Sequence, residues 1–212
     1  MTGLCFGFAR RFFHDGPRKL SHAAESRRMN RTRGNPVLPI RALGSAKRIL
    51  IVCHGNIIRS AFAARLVARV VGEEASVSVS SAGLGAVPGS PPPPTAVRTA
   101  TRMGVDLSGH LSAAVAPETV ADADVIFVMD IPQLLAMRTR FPGVRAKPFL
   151  LTCLAPEGPL EIRDPVEGDE SIFQECFDQI SRAVRPIVRV LSAAARPGAA
   201  DPPVLPATER HL

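Results

Sequence analysis

The run RILIVC at 48–53 constrains the fold of this chain more than any other stretch. After Arg48 it is apolar without a break and too short for a helix, which marks a strand covered on both faces. The alternation continues downstream. SAFAARLVARVVG (60–72) reads as a helix with Phe62, Leu66 and Val70 on one face, Val67 and Val71 beside them, and Gly72 as its stop. ASVSVSSAG (75–83) alternates as a second strand, and GAVPGSPPPP (85–94) is a Pro-rich loop. A helix is predicted over 95–103, a third strand over 123–130, a helix over 131–141 and a fourth strand over 147–151. The last helix is expected to start near Ser171 with a Ser171/Gln174 capping box. Its apolar stripe is Phe173, Phe177, Ile180, Val184, Ile187 and Leu191, with a bend at Pro186. Strands alternating with helices predict an α/β fold, a four-stranded parallel sheet with helices on both faces.

Charge divides the chain. Residues 1–48 carry eleven Lys or Arg against two acids, and the remainder carries fifteen against seventeen. The basic character therefore lies outside the expected domain at 47–193. Residues 1–46 read as a basic, disordered extension and 194–212 as a disordered Pro/Ala-rich tail. Two other readings of 1–46 stay open: a start placed upstream of the true one, with Met29 as a candidate, and an Arg-rich targeting or polyanion-binding arm. Trp and Tyr are absent, so platforms for stacking bases are scarce and no nucleic-acid partner is expected. No apolar run approaches the ~20 residues that span a bilayer. The four cysteines, Cys5, Cys53, Cys153 and Cys176, form no C-x-x-C pair and no zinc spacing with His. No metal or cofactor is expected, and a cytoplasmic setting fits free thiols.

The first strand ends in VCHGNIIRS, residues 52–60. Ligands of such sheets bind beyond the carboxyl ends of the strands. A loop this short, from Cys53 to Arg59, must curl around a point, and its amides from His54 to Arg59 can converge there with the positive end of the following helix. His54, Gly55, Asn56, Ile57, Ile58, Arg59 and Ser60 are thus the expected phosphate-binding residues. Gly55 permits the backbone angles needed and Asn56 tolerates a left-handed one. Arg59 offers a planar fork for two phosphate oxygens. A thiol so placed ionises more readily, and the Ser60 hydroxyl is a donor to it. Cys53 is then a nucleophile that forms a phosphocysteine, later hydrolysed by water. The leaving oxygen needs a proton, and Asp164, in RDP after the fourth strand, is the expected general acid and base. The plainer alternative is that Cys53 ends a buried strand as a core residue. Cys153 and Cys176 read as core.

CHGNIIRS, with SSAGLGAVPG, MGVDLSGH, ADADVIFVMD and RDP, resembles the low-molecular-weight protein tyrosine phosphatases over about 47–193, in wording closest to the bacterial exopolysaccharide-associated branch. The resemblance implies metal-independent hydrolysis of phosphotyrosine with Cys53 as nucleophile, Arg59 as phosphate clamp and Asp164 as acid. It adds Asn56, Ser60 and Ser81 as a network that shapes the loop, and treats His110 as a structural hydrogen-bonding residue. Three departures stand out. Ile58 occupies the place of a usual second cysteine, Val166 that of an aromatic after Asp-Pro, and LSAAVAP (111–117) lacks a common arginine and glutamine.

The expected partner is a phosphotyrosine protein, such as a bacterial tyrosine kinase, and the expected state is a monomer or weak dimer. Competing readings are arsenate reductase, which needs a relay of cysteines absent here, and phosphoarginine phosphatase, whose relatives carry Thr where this chain has Ile57. A phosphate-binding module without turnover is the alternative of a different class.

Overall fold

The computed structural model describes residues 17–72, 77–144, 147–166 and 168–195. The strands are β1 (Arg48–Cys53), β2 (Ser78–Gly83), β3 (Val125–Val128) and β4 (Pro148–Leu150). They form one sheet in the order β2-β1-β3-β4. Every pairing is parallel. The chain leaves β1 first toward β2 and then returns to its other side for β3. The strand order therefore reverses at β1, and a crevice opens at its carboxyl end.

Alternation along the strands fills two core layers. Ile49, Ile51 and Cys53 of β1 and Val125 and Phe127 of β3 face one layer. That layer is built with α2 (Val37–Gly44), α3 (Arg59–Val71), α4 (Pro94–Arg102) and α7 (Glu170–Ala194). Leu50, Val52, Ile126 and Val128 face the other. It is closed by α1 (Pro17–Gly34), α5 (Pro117–Asp122) and α6 (Ile131–Arg140). Phe62 of α3 and Phe177 of α7 stack with ring centroids 4.0 Å apart. Pro148 opens the edge strand β4, the position where a missing amide disrupts no interior ladder.

Several expectations change. Residues 17–44, read as part of a disordered extension, form α1 and α2, while 1–16 and 196–212 lie outside the described residues. α2 buries Ile40 and Leu43, and α1 buries Met29 to 4% exposure. The polar surface of α1 carries no long apolar stripe, which is why its pattern reads as a tail. Val70 is 53% exposed and does not share the buried face of Phe62 and Leu66. The Ser171/Gln174 capping box does not form. Asp169 is the N-cap, accepting from the amides of Ser171 and Ile172 at 2.9 and 3.2 Å. An Asp two residues upstream competes successfully because a carboxylate accepts two amides and favours the positive helix end. Its pKa lies below the ordinary carboxylate value, chiefly through the bonds from Ser171 and Ile172. All six residues of the expected α7 stripe are buried, and the helix runs through Pro186.

Candidate active site

β1 delivers Cys53 to the sheet's carboxyl edge, and the chain turns at once into α3, which begins at Arg59. Cys53 Sγ lies 3.0 Å from Ser60 Oγ and accepts the Asn56 amide at 3.2 Å. The turn is made possible by Asn56, whose φ of 54° is left-handed, a conformation its short polar side chain tolerates. That side chain is fully buried and occupied on both ends. Its Nδ2 donates to Ser60 Oγ and Ser81 Oγ, each at 2.9 Å, and its Oδ1 accepts the Ala113 amide at 2.8 Å. The Asn56 carbonyl meets His110 Nε2 at 2.6 Å. Asn56, Ser60 and Ser81 are thus bonded into one network, and His110 bonds the loop's backbone.

The segment after β2 forms a second wall. Leu84 and Gly85 donate to the carbonyls of Cys53 and His54, each at 3.0 Å, and Gly83 donates to Ala113 at 2.9 Å. A Cβ at Gly83 would sit 2.5 Å from the His54 carbonyl and 3.0 Å from the Asn56 amide. Only glycine lets β2 pass this close to the loop, which gives the SAG wording a steric reason. Within LSAAVAP the residues act through backbone and hydroxyl groups. Ala113 bonds Asn56 and Gly83, and Ser112 Oγ donates to the Val87 carbonyl at 2.5 Å.

On the opposite side stand charges. Arg59, almost wholly buried, donates from Nη1 to Asp130 Oδ2 at 3.2 Å and to the Ile162 carbonyl at 3.0 Å, and from Nη2 to Asp164 Oδ2. The side chain of Asp164 is 39% exposed. The structure therefore brings Cys53, Arg59 and Asp164 to one crevice, from β1, α3 and the loop between β4 and α7. His54 is exposed, Gly55 and Ile57 are half-buried, and Ile58 and Ser60 are buried. Val166 stands 49% exposed two residues beyond Asp164.

Asp130 was not singled out from sequence. It caps α6, accepting from the Gln133 amide at 2.8 Å, and touches Arg59 because β3 lies beside β1. Its sequence signal is an Asp-x-Pro start directly after a buried strand. Burial raises its pKa above the ordinary carboxylate value, against the lowering effects of the Gln133 amide and Arg59. Cys153 and Cys176 are buried, and burial pushes both thiols up to about 12. Cys176 is nonetheless near the crevice, its Sγ 3.7 Å from the carbonyl of Arg163, next to Asp164. No helix among the described residues is long and apolar enough to cross a membrane.

The family described as "Low molecular weight phosphotyrosine protein phosphatase" matches residues 48–196. A probable low molecular weight protein-tyrosine-phosphatase EpsP of Ralstonia nicotianae is 36% identical over 138 residues, covering 65% of this chain and 91% of the relative. The solved tyrosine phosphatase Wzb from Escherichia coli K30, in complex with sulphate, superposes with a TM-score of 0.64 at 27% identity, covering 69% of this chain and 99% of that one. A YwlE arginine phosphatase with a phosphorylated active-site serine gives a TM-score of 0.64 at 26% identity, covering 68% and 95%.

Proposed function

Because this chain belongs to the low molecular weight phosphotyrosine protein phosphatase family, we propose that it hydrolyses phosphotyrosine in proteins through a phosphocysteine on Cys53. The observation that supports this most is the meeting, in one crevice, of a thiol within 3.0 Å of a hydroxyl and an arginine bonded to a carboxylate from a distant loop.

The steps follow from the groups present. The Cys53 thiolate attacks phosphorus, and the bond from phosphorus to the tyrosyl oxygen breaks. Asp164 gives its proton to that oxygen. Water then attacks the phosphocysteine, Asp164 takes its proton, and the P–S bond breaks to return thiolate and release phosphate. Ser60 Oγ already accepts from Asn56, and beside a thiolate its hydrogen has a nearer acceptor in Sγ, at 3.0 Å, than in the Ala82 carbonyl at 3.5 Å. Asn56 thereby aims the hydroxyl at the sulfur. Arg59 has five N–H groups. Its bonds to Asp130, Ile162 and Asp164 leave Nε–H and one Nη2 hydrogen for phosphate oxygens. The loop amides complete the cradle.

An autophosphorylating tyrosine kinase is the partner class we infer for the substrate. With Ile58 beside Arg59 and both buried thiols held protonated, peroxide is expected to carry Cys53 past the sulfenic to the sulfinic acid. A thiol-reversible disulfide on Cys53 after peroxide treatment would reject that expectation.

Assay of the purified protein on phosphotyrosine and phosphoarginine peptides, beside Cys53→Ser, tests the reading. Turnover of the tyrosine peptide that disappears in Cys53→Ser is the expected result. Folded protein without turnover would leave a phosphate-binding module, and preference for the arginine peptide would move the substrate class.

A further inference from the structure

The loop that carries Asp164 is held partly by a helix outside the family-matched region, which begins at residue 48. From α1, Arg33 donates to the carbonyls of Gly158 and Pro159 at 2.9 and 3.1 Å. His22 Nε2 lies 3.3 Å from Glu161 Oε2. The other oxygen of Glu161 accepts the Ile131 amide at 2.8 Å, beside the Asp130 that bonds Arg59. Met29 of α1 belongs to the same buried cluster that Leu160 packs against. Glu25 of α1 anchors the helix by pairing with Arg138 of α6 at 2.5 Å, both side chains largely buried. Ile162, which follows Glu161, gives its carbonyl to Arg59, and Asp164 comes two positions later.

The loop's other anchors come from the domain itself. Gln179 of α7 donates to the Glu161 carbonyl at 2.9 Å, the Ile162 amide donates to Met129 at 2.8 Å, and Thr152 Oγ1 donates to Leu160 at 2.5 Å. α1 adds contacts over the same stretch, at Gly158, Pro159 and Glu161, and Arg33 shares the Pro159 carbonyl with Gln179, whose Nε2 lies 3.5 Å from it. A guanidinium spans two successive carbonyls as a fork, a geometry that fixes orientation as well as position.

We propose that α1 is a positioning element for the acid-bearing loop, with Arg33 and His22 as positioning residues that set how well Asp164 reaches the leaving oxygen. This rests on Asp164 being the general acid. Misplacement by a fraction of an ångström weakens proton transfer most where the leaving group needs the proton most.

The experiment compares kcat/KM on p-nitrophenyl phosphate, a good leaving group, with phenyl phosphate, a poor one, for the full chain, Arg33→Met and Asp164→Ala. Hydrogen exchange over 156–164 is followed in parallel. Arg33→Met is expected to speed exchange of the loop and to lower the phenyl-to-nitrophenyl ratio by about tenfold, with Arg33→Lys restoring part of it. Unchanged exchange overturns the proposal. So does faster exchange with an unchanged ratio while Asp164→Ala shifts that ratio, or an equal loss on both substrates. If Asp164→Ala itself leaves the ratio unchanged, the acid assignment fails and the positioning role falls with it. Should Arg33→Met not fold, His22→Gln at its 42% exposed side chain is read by the same criteria.

Discussion

The two walls of the Cys53 crevice are built from different forces. Toward β2 the loop is held by neutral groups. Asn56 is buried with its side-chain amide bonded to Ser60, Ser81 and Ala113, and its carbonyl to His110. Toward β4 it is held by charges, with Arg59 between Asp130 and Asp164, and Asp164 well exposed. A satisfied neutral network sets shape, since each lost partner strands a buried polar group at about 1–3 kcal/mol. The Arg59–Asp164 pair, with Arg59 buried and Asp164 exposed, is backed by Asp130, so Arg59 keeps a partner without Asp164. The value of the pair is that charge and protons can move there. The neutral wall is therefore expected to control folding and the charged wall to control rate.

Both walls converge on one atom, so the largest effect should come from removing it. Cys53→Ser should lower turnover of an aryl phosphate by on the order of 10⁵–10⁶-fold with the melting temperature near that of the parent. On the charged wall, Asp164→Ala should slow kcat/KM for a poor leaving group by about 10²–10⁴-fold while urea denaturation shows a smaller stability loss than in Asn56→Ala, because Asp130 still pairs with Arg59. A large stability loss there would erase the contrast between the walls. On the neutral wall, Asn56→Ala should reverse the balance and cost about 3 kcal/mol of folding free energy, from stranded partners and a left-handed alanine. Equal stability of Asn56→Ala and parent would show that the network carries no load.

The smallest effect concerns Asp130. Its pKa is raised by burial, so between the unfolded value of about 3.9 and the folded one the native state binds the extra proton. Stability then falls as pH rises through that window. Asp130→Asn keeps a cap acceptor for α6 and removes the titration. Relative to it, the parent should lose stability as pH rises just above the ordinary carboxylate range. Parallel urea curves for the two proteins across that range would reject this assignment.

How much was legible depends on how far apart the partners lie. Cys53, Asn56, Arg59 and Ser60 fall within eight consecutive residues, and a strand-to-helix turn brings them together by local geometry alone. Asp164 was legible because an Asp-Pro pair following the last strand of a parallel sheet emerges at the edge where the first strand ends. Asp130 and the Ile162 carbonyl were not, since neither reaches Arg59 until β3 and the loop after β4 take their places in the sheet. Backbone groups carry no sequence signal at all, which hid the bonds of Ala113 and Ile162. Helix α1 was missed for a different reason. It buries Met29 but little other apolar surface, and is held largely by Glu25 and Arg33 reaching partners more than a hundred residues away.

By itself, then, the sequence determined the layered α/β fold, because strands buried on both faces and amphipathic helices each have one compact way to hide their apolar sides. It also determined the loop and its thiol, because their spacing is a local property. Only the tertiary structure decided what surrounds them. Strand order brought Asp130 to Arg59, the close pass of Gly83 walled the loop, and α1 docked against the strand-to-helix loop that bears Asp164. Each of these depends on contacts between residues far apart in the chain, whose energies are small singly and appear only when the whole core has assembled.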